Sequence, residues 1–447
     1  MTDPEKPGLR APLQAIRGTH DILPAEARRW QAAEAVCKSH FELYGYREIR
    51  TPVFEPTELF VKGTGETSDI VTKEMYTFTD KSGRSLTLRP EYTPSIARAI
   101  LEHRLDLRPE PLRFYYIGPM FRYDKPQKGR YRQFHQADVE VFGEADPAVD
   151  AELIEMAGSL LEKLGVEDVE ILVNSVGCPD CRPAYSHALR EKAEASRDEY
   201  CADCRRRIEL NPLRLFDCKV ERCGELSRGL PLVSDFLCPA CAENFAEVRR
   251  RLDACGLRYR VEPRLVRGID YYTRTTFEIV NSSAGRQNAI LGGGRYDNLM
   301  KTYGGPDIPA TGFAMGMERL LEAARLEIKP ENFVFIAYLG EEAKNRAAWL
   351  ARIFRSGGVE CLLEFKDRGL KAQLSRAARL GASFAAIVGQ DEVRNGRLVV
   401  KDLSTGSQFD EPVAWLEKEG EAEAALRRLF SKSSRPDFWP PAKEAKP

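Results

Sequence analysis

In the stretch FHQADVEVFG, Gln136, Asp138 and Glu140 recur at every second position. A strand sends alternate side chains to opposite faces, so these three share one face while Ala137, Val139 and Val141 share the other. A sheet face that spends two carboxylates and an amide in this way reads as a binding floor. Just upstream, the apolar run FYYIG leads past Arg122 into a loop carrying Lys125, Gln127, Lys128, Arg130 and Arg132. An arginine held at a sheet edge beside a cationic loop suits an anion such as a phosphate or carboxylate. A solvated hairpin tip would look the same on charge alone.

Further groups of the same chemistry lie along the chain. LRPEYT sets Glu91 and Thr93 at alternate positions around Tyr92, with Pro94 suited to the first turn of a following helix. A carboxylate beside a hydroxyl suits an ammonium group. LVRGIDYYTRTTFEIV brings Arg267, Tyr271 and Tyr272 ahead of a strand in which Thr275, Phe277 and Ile279 face one way and Thr276 and Glu278 the other. LGGGRYDNLM offers glycines that let a backbone approach a flat ligand closely. Neither GxxxxGK[ST] nor a strand followed by GxGxxG occurs, which excludes the common phosphate-loop signatures. Arg319 falls in the first turn of a helix after TGFAMG.

Eight of the eleven cysteines form four close pairs: Cys178 with Cys181, Cys201 with Cys204, Cys218 with Cys223, and Cys238 with Cys241. Such knuckles present two thiolates to one tetrahedral zinc, and two pairs complete a four-thiolate site. Disulfides are the competing reading, and spacing does not say which pairs combine. Cys37, Cys255 and Cys361 read as buried small hydrophobes.

These groups need a large framework. A chain of 447 residues implies two or three domains, and 43% hydrophobic with 30% charged residues is a globular composition. The 67 basic residues nearly cancel the 68 acidic ones, so any nucleic-acid surface must be a local patch. Neither a membrane span nor a signal peptide is expected, and the compartment reads as cytoplasmic and reducing. An amphipathic helix to about Leu43, with Trp30, Ala33, Val36, Cys37 and Phe41 on one stripe, precedes a strand expected to run to Pro52. From Phe333, strands and helices alternate as a compact α/β unit, with Lys366, Arg368, Lys371, Arg376 and Arg379 around its second helix. The tail SKSSRPDFWPPAKEAKP reads as disordered.

Taken together, GPMFRYDKPQKGRYRQFHQADVEVFG resembles motif 2 of the class II aminoacyl-tRNA synthetases. The helix, strand and Pro52 resemble motif 1, and TGFAMGMERLLEAARLE resembles motif 3. RGIDYYTRT and GGGRYD point within that class to the histidyl-tRNA synthetase family, and the likeness extends from about Ile16 to about Phe430. The resemblance implies an α+β catalytic domain on an antiparallel sheet over residues 1–332, interrupted by a cysteine-rich insertion at 175–258. An anticodon-binding α/β domain at 333–430 and the tail at 431–447 follow.

It further implies activation of histidine by ATP with Mg²⁺ and transfer to tRNA(His), by a homodimer formed through the motif 1 region. Arg122 and Arg267 would be catalytic, and Arg122, Arg130 and Arg319 would bind ATP. Glu91, Tyr92, Thr93, Gln136, Glu140, Tyr271 and Tyr272 would hold histidine. Lys125, Gln127, Lys128 and Arg132 would cradle the tRNA acceptor end, and the eight paired cysteines would hold structural zinc. Two rivals remain on sequence: a histidyl-synthetase-like regulatory subunit of ATP phosphoribosyltransferase, and a zinc-dependent nucleic-acid-binding protein without catalysis.

Overall fold

A computed structural model describes residues 13–65, 68–126, 129–283, 289–328, 332–412 and 430. The chain divides into two compact units, residues 1–328 and 329–447. The expected disordered tail lies outside the described residues.

The first unit is organised by an eight-stranded sheet. In chain order its strands are β1 (Arg47–Glu48), β5 (Leu112–Phe121), β6 (Gln133–Phe142), β7 (Val169–Ser175), β8 (Arg260–Val261), β9 (Thr273–Asn281), β10 (Ala289–Arg295) and β11 (Ala310–Gly316). A separate three-stranded sheet holds β2 (Phe54–Pro56), β3 (Tyr76–Thr79) and β4 (Ser85–Leu88). The large sheet is ordered β1-β5-β6-β11-β10-β9-β7-β8. Its six central strands pair antiparallel throughout, and only the two-residue edge strands β1 and β8 pair parallel.

The strand expected to run to Pro52 is shorter. After β1 the backbone leaves the ladder, with one further bond from the Ile49 amide to the Tyr115 carbonyl at 3.0 Å. The carbonyls of Thr51 and Pro52 turn instead to the buried guanidinium of Arg89, at 3.0 and 3.2 Å. The same guanidinium donates to the Pro119 carbonyl at 2.9 Å and to the Tyr116 hydroxyl. Arg89 thus joins the motif 1 segment to β5 by hydrogen bonds to carbonyls that no strand partner takes.

One face of the sheet carries the main hydrophobic core. Ala137, Val139 and Val141 of β6 pack there with Phe277 and Ile279 of β9 and Phe313 and Met315 of β11. The helices Pro24–Leu43 and Ala148–Lys163 close over them. On the first helix Trp30, Ala33, Cys37 and Phe41 are buried, Val36 is half-buried, and His40 is buried with Nε2 3.0 Å from the Met156 carbonyl. Period-two alternation then places Gln136, Asp138 and Glu140 on the opposite face, where all three are also buried.

Arg295 of GGGRYD is fully buried and pairs with fully buried Asp150 at 3.0 Å, with further bonds to the Glu144 and Asp146 carbonyls. Between β7 and β8 the cysteine-rich segment folds as short helices around its own core, which includes Tyr185, Leu189, Ile208, Leu215 and Val233.

The second unit is a mixed five-stranded sheet of β12 (Val334–Tyr338), β13 (Cys361–Leu363), β14 (Phe384–Val388), β15 (Arg397–Asp402) and β16 (Gln408–Pro412). The order is β13-β12-β14-β15-β16, parallel through the first three and antiparallel beyond. Of its basic cluster, Lys366, Lys371 and Arg379 are exposed. Arg376 is engaged within the unit, 2.6 Å from the buried carboxylate of Glu364.

Arg295→Ala strands the Asp150 charge in the interior, and such a broken buried pair costs about 3–5 kcal/mol. Chemical denaturation should show the catalytic unit unfolding at distinctly lower denaturant; an unchanged midpoint refutes the structural role.

Candidate active site

A cavity of about 370 Å³ opens on the polar face of the large sheet, within the size range of small-molecule sites. Gln136, Asp138 and Glu140 form its floor from β6, and Gly312 and Ala314 adjoin them from β11. Glu91, Tyr92 and Thr93 come from the start of the helix Thr93–Glu102, and Tyr271 and Tyr272 from the segment before β9. Arg122, Arg130, Arg267 and Arg319 line the same space.

Its carboxylates are incompletely satisfied. Glu91 Oε2 accepts from the Tyr271 hydroxyl at 3.0 Å, and Glu140 Oε1 accepts from the Thr93 hydroxyl. Glu91 Oε1, Asp138 Oδ1, Glu140 Oε2 and Gln136 Oε1 are buried without a hydrogen-bond partner. Buried acceptors without donors are costly, and here they converge on one cavity. Burial pushes Glu91 up to about 7, opposed by Arg122 and the Tyr271 hydrogen bond. Asp138 and Glu140 are raised well above the carboxylate range, by burial first and then by the neighbouring acids. Carboxyls displaced by burial and gathered in one cavity mark a candidate functional site.

The arginines are held by fixed acceptors. Arg122 Nε donates to the Pro90 carbonyl at 2.8 Å, and its guanidinium lies 5.2 Å from the Phe134 ring centroid. Arg267 Nη1 meets Glu278 Oε1 at 2.7 Å, and its plane lies against the bare Cα of Gly292, where any Cβ would collide with the guanidinium. Arg319 donates to the carbonyls of Gly129 and Ala289 at 3.2 and 2.7 Å, tying the motif 2 loop to β10. Arg130 pairs with Asp124 at 2.8 Å. Both carboxylate oxygens of Glu318 accept from the His135 amide, at 2.9 and 3.1 Å, which locks the motif 3 helix to β6.

Not every residue proposed from sequence offers the cavity a polar group. The Tyr92 ring stacks on Tyr116 at 3.6 Å, and its hydroxyl is spent on the Ile49 carbonyl and the Thr51 amide. It packs the floor rather than offering a polar group. Lys125 is exposed, and Arg132 stacks over the Tyr123 ring at 4.1 Å; neither lines the cavity. Gln127 and Lys128 lie outside the described residues.

Asp138 lies on the expected floor, though the resemblance assigns it no ligand. Other lining residues escaped the sequence reading. Tyr296, whose hydroxyl is buried without a partner, was hidden inside GGGRYD. Asp69, Arg214 and Asp217 are brought in by tertiary packing and carry no local signal.

The eight paired cysteines resolve into two groups: Cys178, Cys181, Cys238 and Cys241, and Cys201, Cys204, Cys218 and Cys223. The outer pairs combine, and so do the inner. Within each group all four sulfurs lie within 4.8 Å of one another. Sulfur separations of 3.6, 3.9 and 4.0 Å match the ~3.8 Å set by tetrahedral ligation at ~2.3 Å. They exclude disulfides, and every cysteine is a free thiol. Cys37 and Cys361 are buried as expected, but Cys255 is exposed, because it follows the last turn of the helix Pro239–Ala254 at the surface.

A sheet of this antiparallel kind with such a cavity is the catalytic platform of the class II aminoacyl-tRNA synthetases. Within that class the chain belongs to the histidyl-tRNA synthetase family. The family model "Histidyl-tRNA synthetase" matches residues 18–320, and an "Anticodon binding domain" model matches 333–419. A histidine–tRNA ligase of Desulforudis audaxviator is 51% identical over 397 residues, covering 88% of this chain and 94% of the relative. That of Halothermothrix orenii is 47% identical over 403 residues, covering 89% and 96%. Among solved structures, apo histidyl-tRNA synthetase of S. aureus superposes with a TM-score of 0.77 at 35% identity, covering 90% of this chain and 98% of that one.

Glu91 gives the cavity a pH signature. A carboxyl whose folded value of about 7 exceeds its ordinary 4.5 binds more protons folded than unfolded between those values. Stability of the ligand-free protein therefore falls as pH rises through that window. Thermal unfolding from pH 5 to 7.5 should show this slope, and Glu91→Gln should flatten it. Stabilisation by an ammonium ligand should grow over the same range; a slope identical in the variant removes Glu91 as its source.

Proposed function

We propose that the chain activates histidine with ATP to histidyl-adenylate and transfers the histidyl group to the 3′ end of tRNA(His). The observation that carries this reading is one cavity lined both by buried, partner-less carboxylate oxygens and by Arg122, Arg267 and Arg319. The first set fits a ligand with an ammonium and an imidazole N–H, and the second fits phosphates and a reacting carboxylate. Arg122 lies between them, close enough for its charge to act on Glu91 and Asp138 as well as on Arg319.

In this reading Glu91, Thr93 and Gln136 hold the α-ammonium, while Glu140, Tyr271 and Tyr272 enclose the imidazole. A site that leaves buried polar groups unpaired with the wrong ligand discriminates by roughly 10⁴–10⁵, so no editing domain is required. A carboxylate oxygen of histidine attacks the α-phosphorus of ATP, and the bond to the leaving diphosphate breaks. Arg122 and Arg267 supply fixed positive charge where the two anions meet, which is commonly the largest catalytic contribution. Arg130 and Arg319 bind ATP. Glu278, beside Arg267, would offer a carboxylate oxygen to Mg²⁺ brought with ATP, whose charge would offset that of the leaving diphosphate.

The loop of Lys125, Gln127, Lys128 and Arg132 receives the acceptor end of tRNA, and the unit at 333–430 binds its anticodon. Residues 16–52 form the homodimer contact, and the protein works in the cytoplasm. None of the described helices is long and apolar enough to cross a membrane. A regulatory subunit that binds histidine without charging tRNA is not favoured, since the arginine set is intact and the close relatives are ligases over most of their length. We further infer that each four-cysteine group holds one structural zinc ion, on the strength of its sulfur spacing.

Histidine-dependent exchange of diphosphate into ATP by the purified protein tests the reaction. Arg267→Ala should slow adenylate formation in a single turnover by about 10²–10³ while histidine affinity stays close to wild type. The opposite pattern would make Arg267 a binding residue. Native mass spectrometry should count two zinc ions, and Cys181→Ser should lose one; protein purified without chelator and free of metal refutes the zinc assignment alone.

A further inference from the structure

The two cysteine groups do not line the cavity, yet both lead to the same few residues of its wall. In the outer group, Cys181 is followed directly by Arg182, at the start of the helix Arg182–Glu194. Its Nη1 donates to the Asp270 carbonyl at 3.1 Å and its Nη2 to the Tyr272 carbonyl. Arg182 therefore spans the backbone on either side of Tyr271, the residue whose hydroxyl reaches Glu91.

The inner group brackets residues 205–217. Cys201 accepts from the Cys204 amide at the start of the helix Ala202–Leu210, and Asn211 ends that helix. Asn211 Nδ2 donates to Asp270 Oδ1 at 2.7 Å. From the same bracketed loop, Arg207 and buried Arg214 both reach Asp69 Oδ2, at 3.0 and 2.7 Å, and Arg214 and Asp217 line the cavity itself. Asp270 is thus gripped through its carbonyl from one cysteine group and through its carboxylate from the other. Four thiols joined only by weak S–H contacts hold a loop poorly, whereas four thiolates on one ion fix its ends.

We infer that the metal in each group positions the histidine pocket, with Arg182 and Asn211 as the positioning residues that transmit it to Asp270, Tyr271 and Tyr272. This rests on the reading of the cavity as a histidine site. Because coupling between two bound ligands is reciprocal, a metal that orders residues 270–272 for histidine is itself held more tightly once histidine is bound.

The full-length metal-loaded protein supplies the test. Native mass spectrometry first counts the zinc. Release of zinc to a competing chelating dye is then followed to equilibrium with and without saturating histidine, and should require about fivefold more dye or greater when histidine is present. Calorimetry on Asn211→Ala should show histidine binding weakened about tenfold, the scale of one lost hydrogen bond to a charged group, with ATP affinity within about twofold of wild type and the zinc count unchanged. Such a split is not what general loosening of the fold produces, and the release measurement needs no variant. Two bound zinc ions whose release ignores histidine overturn the inference. Metal-free protein that binds histidine at full strength overturns it too, while leaving the histidine assignment standing. Failure of histidine-dependent diphosphate exchange would instead remove the histidine assignment itself.

Discussion

Three carboxyl groups, Glu91, Asp138 and Glu140, are buried in one cavity, each with an oxygen that no protein donor reaches. Desolvation of this kind raises the free energy of the ligand-free protein, so the surrounding structure must hold the three in place although water would solvate them better. Much of the catalytic unit meets that demand. The Thr93 hydroxyl secures Glu140, the Tyr271 hydroxyl secures Glu91, and the Met315 backbone serves Asp138. The six antiparallel strands keep the floor from relaxing, and Arg89 and Arg295 fasten the flanking segments from inside the core. A ligand that brings its own donors relieves a strain built in beforehand, which is how binding energy becomes selectivity.

Much of this was legible in the chain. The alternation of Gln136, Asp138 and Glu140 with Ala137, Val139 and Val141 fixed both faces of β6, because strand geometry leaves no other arrangement once one face is apolar. Arg122 and Arg319 lie in stretches that resemble motifs of the class, Arg267 in one that points to the histidine family, and all three line the cavity. The failures have a common cause. The strand expected through Pro52 ends early because Arg89, thirty-seven residues away, takes its carbonyls. Tyr92 lines the cavity, but its hydroxyl is committed to the segment Ile49–Thr51, a contact that its neighbours Glu91 and Thr93 do not announce. Asp69, Arg214 and Asp217 reach the cavity only through packing of the insertion against the catalytic unit. In each case the deciding contact joins residues far apart in sequence, and local pattern contains no trace of it. The pairing of cysteines was open for the same reason.

The insertion differs in character from the sheet it interrupts. Its core is small, built from short helices, and two groups of four thiols sit at its base and middle. Small units of this size commonly depend on cross-links for stability. Here the two thiol groups stand one residue from Arg182 and bracket Asn211, so the fold of the insertion and the geometry of residues 270–272 share their supports.

The bare backbone of β10 and β11 has a consequence for how such a site changes over generations. Arg267 lies against Gly292, and Glu140 and the Tyr296 hydroxyl crowd the place where a side chain on Gly312 would begin. Every single-step replacement of glycine adds at least a Cβ, so no small variant exists at either position; the mildest change, to alanine, already meets a guanidinium or a carboxylate. The groups around them can be exchanged one atom at a time, aspartate for asparagine or glutamate for glutamine, with graded effects. Drift in this pocket is therefore channelled: the polar lining can change in small steps, while the two glycines are left only if Arg267 moves away from Gly292 or if Glu140 and the Val139 carbonyl give way at Gly312.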